Sequence, residues 1–169
     1  MQLKQNFSTM KHITFYTFIA FLLLSFNSHA AFNQAPDIDL PGMDGNVQLE
    51  KLKGKVVYLD FWASWCQPCK KSFPWMHAIK QSYADQGFEI VAVNLDKDRK
   101  LADEFLKEMD VNFKVAFDES GDSASEYKLR GMPSSYLIGR DGKVYASHIG
   151  FRDKDKEQLE QAIKNLLSK

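Results

Sequence analysis

Cysteine is scarce in this chain of 169 residues, which contains only two. A disulfide-rich mini-protein is therefore excluded, because such scaffolds replace a large hydrophobic core with several bridges. A charge excess is also lacking, since 22 basic residues balance 22 acidic ones. This balance argues against a dedicated nucleic-acid binder, which would carry a clustered basic excess. Hydrophobic residues make up 44% of the chain and include 13 Phe and 3 Trp, enough for one globular domain with its own core.

Acidic residues are absent from the first thirty positions. Two lysines there precede an uncharged, mostly apolar run of 14 residues from Ile13 to Phe26, and Ser28-His29-Ala30 supplies the small-x-small ending of a secretory signal. We therefore predict a signal peptide over residues 1–30 and a mature chain that begins at Ala31. A membrane-spanning helix needs about 20 apolar residues, so an uncleaved membrane anchor is the less favoured alternative.

Both cysteines lie in one short motif, Cys66-Gln67-Pro68-Cys69. Export would place them in an oxidising compartment, where thiols become disulfides unless a catalytic cycle or a reductase keeps them reduced. A structural zinc site needs four ligands, usually from a second CxxC or a pair of histidines. Because the chain after the predicted signal offers only His77 and the distant His148, we predict no metal site. We also expect no organic cofactor.

Hydrophobic patterning predicts alternating strands and helices after the signal. Residues 32–54 are irregular and contain a short hairpin, whereas the β-branched and aromatic run from Lys55 to Trp62 is typical of a central strand covered on both faces. A helix kinked near Pro74 follows, from Cys66 to about Gln86. The remaining predicted elements are strands at 88–95, 113–117, 134–138 and 143–149, helices at 100–109 and 153–167, and a helical turn ending at Leu129. The last two strands should pair antiparallel, because an Asp-Gly turn joins them.

This order, a βαβ half followed by a ββα half with CxxC at the start of the first helix, indicates an α/β fold of the thioredoxin-like kind. The segment from Asp60 to Lys70 (DFWASWCQPCK) resembles the active-site stretch of thioredoxins, and Gly131-Met132-Pro133 resembles their cis-proline loop. An N-terminal extension, an inserted helix and strand between Asp96 and Phe117, and the export signal resemble the TlpA/ResA branch of thiol-disulfide oxidoreductases. The resemblance covers roughly residues 35–167 and implies a central mixed β-sheet flanked by helices.

The chemistry of the motif gives its two cysteines different roles. A thiolate, rather than a thiol, attacks a disulfide, and a sulfur at a helix N-terminus faces unpaired N–H groups that favour the anion. Cys66 is therefore the predicted nucleophile. Cys69, one turn further on, would resolve the mixed disulfide. Gln67 and Pro68 form the active-site loop. Pro68 can occupy the first turn of a helix and stiffen this loop, and the alternative is that it only starts the helix.

Asp60 interrupts an otherwise apolar strand, and a buried carboxylate without a partner is costly. The resemblance implies that Asp60 is buried and accepts the Cys69 proton; a solvated acid at the strand end is the alternative. It also implies a cis Met132-Pro133 peptide whose Met132 backbone pairs with a Cys-containing segment, beside a Trp65 that shapes the docking surface. Trp62 is predicted to lie in the core.

Two positions depart from the family pattern. ResA-like reductases commonly carry a glutamate three residues after the second cysteine, where this chain has Ser72, and Met132 stands where Thr or Ile is common. The first departure weakens a narrow assignment to apocytochrome c reduction. The substrate therefore stays open.

The dipeptide between the cysteines indicates the direction of electron flow. Gln67-Pro68 lacks the histidine that strong oxidants keep there to stabilise the thiolate. We expect a monomeric periplasmic reductase of Cys-containing exported proteins, re-reduced by a membrane thiol-disulfide electron donor. The alternatives are a disulfide oxidase or isomerase, and a thioredoxin-fold binding module with an inert disulfide.

Overall fold

The structure, a computed structural model, describes residues 34–169. The predicted signal peptide over residues 1–30 and the predicted start at Ala31 lie outside the described residues. Within the described part, the strands are β1 Asp39–Leu40, β2 Val47–Gln48, β3 Val56–Trp62, β4 Phe88–Asn94, β5 Lys114–Phe117, β6 Ser134–Ile138 and β7 Val144–Ile149. The α-helices are α1 Gln67–Tyr83, α2 Arg99–Lys107, α3 Asp122–Glu126 and α4 Lys156–Leu167. Short 3-10 helices cover Leu49–Leu52, Ala84–Gln86 and Asp153–Asp155.

Five strands form a mixed sheet in the order β5-β4-β3-β6-β7. The pairs β3/β4 and β4/β5 are parallel, whereas β3/β6 and β6/β7 are antiparallel. The central mixed sheet and the antiparallel last pair are thereby confirmed. Since β3 is the middle strand, the segment that follows it starts midway along the line formed by the strand ends.

The strand β3 is buried on both faces, which explains its lack of apolar alternation. Val56, Tyr58 and Trp62 belong to a core that includes side chains of α1, α2 and α4. Val57, Leu59 and Phe61 point to the opposite face, where the N-terminal extension contributes a second core through Ile38, Val47, Leu49 and Leu52. Because side chains alternate along a strand, Asp60 faces the first core, on the side of α1.

The N-terminal extension is an integral part of this domain. It contains the expected short hairpin, β1 with β2, and also covers the outer edge of β5. There the amide of Met43 donates to the Val115 carbonyl at 3.2 Å, and the amide of Phe117 donates to the Pro41 carbonyl at 2.9 Å. A Cβ atom on Gly42 would lie 2.8 Å from the Val115 oxygen, so the close approach requires glycine. A covered edge cannot recruit a foreign strand.

The predicted element boundaries agree with the structure to within a few residues. The first helix begins at Gln67 with Cys66 as its N-cap and continues through Pro74 to Tyr83, so its predicted last turn is a 3-10 segment. The predicted C-terminal helix likewise opens with a 3-10 turn at Asp153–Asp155. No helix within residues 34–169 is long and apolar enough to cross a membrane.

Candidate active site

The CxxC motif lies where the central strand β3 passes into α1. Cys66 is the N-cap of that helix, and its Sγ accepts a hydrogen bond from the Cys69 amide at 3.3 Å. The Cys66 amide in turn donates to the Ala63 carbonyl at 3.0 Å, which tightens the turn before the helix. The predicted position of Cys66 at a helix N-terminus is thus confirmed, with a backbone donor aimed at its sulfur.

Cys66 and Cys69 are joined by a disulfide, with their Cα atoms 5.3 Å apart. Cys69 is fully buried, whereas Cys66 retains 5% exposure. Pro68 lies in the first turn of α1, where its missing N–H leaves no helical bond unmade. Of the two sulfurs, only that of Cys66 belongs to a residue that lines an open groove.

Ser72 occupies the position at which ResA-like reductases commonly carry glutamate. It is buried, and its hydroxyl donates to the Cys69 carbonyl at 3.0 Å. The small side chain is therefore buried and bonded to the helix turn that carries the second cysteine. No carboxylate is supplied to the site from this position.

Asp60 is 1% exposed, so the solvated alternative is wrong. Its Oδ2 atom has no hydrogen-bond partner among the described residues. Burial raises the pKa of Asp60 well above that of an ordinary aspartate. Burial, and secondarily the charge on Asp60, also raises the pKa of Tyr58, its neighbour on the same face of β3. The structure therefore contains a buried carboxyl group that resists ionisation.

The Met132-Pro133 peptide is cis, as the family resemblance implies. The loop is pinned on both sides, because Gly150 donates its amide to the Pro133 carbonyl at 2.7 Å and the Ser134 hydroxyl donates to the Gly131 carbonyl at 2.7 Å. No backbone hydrogen bond within residues 34–169 uses Met132. Its backbone groups are available to a passing strand.

An open groove of about 500 Å³ runs beside Cys66. Trp65 is 65% exposed and forms part of its wall, whereas Trp62 is fully buried between aromatic rings of the core, as predicted. The groove is lined mostly by apolar side chains, from Trp65, Cys66, Gln67, Pro68, Leu95, Ala124, Leu129, Gly131 and Met132. The groove therefore offers an apolar surface directly beside Cys66.

Three groove residues were missed by the sequence analysis. Leu95 follows β4, Ala124 belongs to α3, and Leu129 lies in the turn after α3. Only Leu95 could have been predicted to lie near the motif. It follows β4, and parallel neighbouring strands such as β3 and β4 end at the same edge of the sheet. The other two reach the groove through a connection whose path the sequence does not specify.

The two histidines within residues 34–169 contact Asp110 and Asp155. His77 is bonded through Nδ1 to the Asp110 carbonyl at 2.8 Å, and His148 faces Asp155 at 3.5 Å. Across residues 34–169, no three His, Cys, Asp or Glu side chains are grouped so as to hold a metal ion.

A disulfide-bonded CxxC at the start of the first helix, a cis-proline loop and a five-stranded mixed sheet define a thioredoxin-fold thiol-disulfide oxidoreductase. The chain belongs to the Redoxin family, whose model matches residues 30–163.

Individual relatives agree with this assignment. The chain is 36% identical over 134 residues to the thiol-disulfide oxidoreductase ResA of Bacillus thuringiensis subsp. konkukian, a match that covers 79% of this chain and 76% of that protein. A structure from Chlorobium tepidum, assigned as a thiol:disulfide interchange protein DsbE, superposes with a TM-score of 0.80 at 50% identity, covering 83% of this chain and 99% of that one. The thioredoxin domain of a thiol-disulfide oxidoreductase from Bacteroides vulgatus gives 0.71 at 26% identity, covering 80% and 99%.

The buried Asp60 generates a prediction about stability. Because its pKa is raised in the folded state, the folded protein binds more protons than the unfolded chain above about pH 4, where unfolded aspartate ionises. Stability should therefore fall as pH rises from about 4 until the folded pKa is passed. The Asp60→Asn variant lacks this group. Between pH 5 and pH 8 its free energy of unfolding should therefore fall by at least about 1 kcal/mol less than that of the wild type.

Urea unfolding of the oxidised protein at the two pH values measures this difference. The exposed Asp44→Asn variant, in the turn between β1 and β2, is the matched control and should keep the wild-type pH dependence. Equal pH dependence in wild type and Asp60→Asn would contradict the assignment of a buried, uncompensated carboxyl group.

Proposed function

We propose that this protein reduces disulfides in exported proteins, with Cys66 as nucleophile and Cys69 as resolving thiol. The observation that carries the proposal is the Cys66 sulfur at the start of α1, which accepts a backbone hydrogen bond and borders an open groove. A donor already aimed at the sulfur stabilises a thiolate without rearrangement of the helix.

The reaction moves two electrons from the protein to the substrate. The Cys66 thiolate attacks one sulfur of a substrate disulfide, forming a mixed disulfide and releasing the other substrate sulfur as a thiolate that takes up a proton. Cys69 then loses its proton and attacks the Cys66 sulfur. The second substrate sulfur leaves as a thiolate and is protonated in turn. The products are a substrate dithiol and the Cys66–Cys69 disulfide, which an external dithiol donor, itself oxidised, must reduce again.

Asp60 is the proposed acceptor of the Cys69 proton. Cys69 is fully buried and belongs to the same core face as β3 residues Tyr58 and Trp62, between which Asp60 lies. Burial raises the pKa of Asp60, which makes its ionised form a stronger base than an exposed carboxylate. A base of this kind matches the weak acidity of a buried thiol.

The proposed substrate segment binds in extended form across the cis-proline loop. The unused backbone of Met132 would pair with the segment as one more strand, and Trp65 and Leu129 would contact the side chain next to its cysteine. The substrate class that follows is a cysteine-containing protein segment with an apolar neighbour.

The reducing direction rests on the residues between the cysteines. Gln67 and Pro68 bring no cation toward Cys66, so the residues between the cysteines add no charge that stabilises its thiolate. We expect the Cys66–Cys69 couple to equilibrate near the thioredoxin value of about −270 mV in a glutathione redox series. A value near about −120 mV would identify an oxidant and overturn the reductase.

The partners can be trapped covalently. In Cys69→Ala the mixed disulfide cannot be resolved, so substrates should accumulate as dithiothreitol-sensitive adducts of Cys66 on non-reducing gels. The Cys66→Ser variant should form none, which also separates the enzyme from a binding module with an inert disulfide. Adding Leu129→Asp to Cys69→Ala should lower the adduct yield severalfold, because a charge replaces the apolar wall of the groove.

Leu101→Asp is the matched control for the groove, since Leu101 is 45% exposed on α2 and does not line the groove. Its adduct yield should equal that of Cys69→Ala alone. If both leucine variants lose adducts equally, or if Cys69→Ala traps nothing, the proposed docking mode fails.

Export to the periplasm is the remaining part of the proposal, supported by the uncharged run before Ala30 and its small-x-small ending. The intact mass of the protein purified from its host should correspond to residues 31–169. Ala30→Arg should retain the full-length mass, because a bulky charge at the cleavage position blocks processing. A wild-type mass of the complete chain would contradict cleavage.

A further inference from the structure

Asp96 lies just beyond the end of β4, next to the redox motif, and no role in the chemistry above uses it. It is 2% exposed. Its carboxylate accepts three hydrogen bonds: from the Ser64 amide at 2.8 Å, from the Ser64 hydroxyl at 2.9 Å and from the Asn94 side-chain amide at 2.7 Å. The Asp96 amide completes the arrangement by donating to the Asn94 side-chain oxygen at 3.1 Å.

Two features distinguish this carboxylate from a structural ion pair. All three of its donors are uncharged, so they spread its negative charge without cancelling it. Two of them belong to Ser64, which is two residues before the nucleophile in the turn closed by the Cys66 amide and the Ala63 carbonyl. A buried negative charge is thereby tied to the backbone segment that positions Cys66.

We propose that Asp96 is a positioning residue that, through Ser64, biases the Cys66–Cys69 pair toward the disulfide and so makes the dithiol a stronger reductant. Oxidation of the dithiol by glutathione disulfide gives the protein disulfide and two glutathione molecules. The dithiol side carries thiolate character at Cys66, whereas the disulfide is uncharged. A nearby carboxylate raises the free energy of the thiolate and leaves that of the disulfide almost unchanged.

This inference deepens the proposed reductase function and rests on it for its biological meaning. The backbone donors at the start of α1 favour the thiolate needed for attack, and they alone would make the couple more oxidising. Asp96, bonded to Ser64 in the turn before the helix, opposes them. The balance of the two sets the equilibrium constant of the pair.

The experiment compares equilibrium constants for oxidation by glutathione disulfide at one fixed pH, in the whole protein, with alkylation and mass spectrometry as the readout. Asp96→Asn keeps the shape of the side chain and removes its charge, so the constant should fall by about threefold to tenfold, the larger value corresponding to about 30 mV. Ser64→Ala keeps the charge and removes one hydrogen-bond donor that spreads it, so the constant should rise.

Because the two variants should shift the equilibrium constant in opposite directions, the comparison distinguishes an effect of the Asp96 charge from a purely structural role. A carboxylate that merely braces the turn would give shifts of the same sign in both variants, because each loosens the same contacts. Glu89→Gln is the matched control, since Glu89 is a 7% exposed acid near the start of β4, about 20 Å along the strand from Asp96. It should leave the constant at the wild-type value.

Shifts of the same sign, or an unchanged constant in Asp96→Asn, would overturn the proposal. If circular dichroism shows that Asp96→Asn does not fold, Ser64→Ala decides alone: a rise supports the inference, and a fall or no change overturns it. The wild-type constant tests the reducing direction independently, because this inference concerns only the ratio of variant to wild type.

Discussion

The packing of a strand with two buried faces against the CxxC helix is the constraint on which the rest of the molecule depends. Because β3 is covered on both faces, its position in the sheet is fixed, and the helix that follows must begin at its carboxyl end. That geometry places Cys66 at a helix N-terminus rather than within a flexible loop. Reactivity of the sulfur is therefore a consequence of core packing.

The same constraint accounts for the N-terminal extension. A central strand can be buried on both faces only if something covers the face opposite α1, and here Ile38, Val47 and Leu49 do so. The extension also closes the outer edge of the sheet beside β5. Its residues thus support the redox motif from the far side of the sheet.

The sequence predicted those features that are encoded locally. Cys66, Cys69 and Pro68 follow from the spacing of one motif, and the buried state of Asp60 follows from the apolar residues on either side of it. The cis-proline loop required the family resemblance, since no local rule selects one proline of five for the cis form.

Features that depend on non-local pairing could not be predicted. Leu129 reaches the groove because a short helix after β5 returns the chain toward the cis-proline loop, a path that composition alone does not specify. The sequence marks Asp96 only as the boundary of an inserted segment, because its partner Ser64 is 32 residues away. Contacts of this kind arise from the parallel pairing of β3 with β4, which places the two strand ends side by side.

Two buried carboxyl groups near one disulfide would be redundant if they did the same work, but their surroundings differ in a way that assigns them different tasks. Asp60 lacks a partner for one oxygen, and burial raises its pKa, so it suits the transfer of a proton. Asp96 has three neutral donors and suits the maintenance of a charge. A reductase needs a thiolate for attack and a dithiol that readily gives up electrons, and these demands oppose each other at a single sulfur. Dividing them between a helix N-terminus and a separate carboxylate lets the fold meet both.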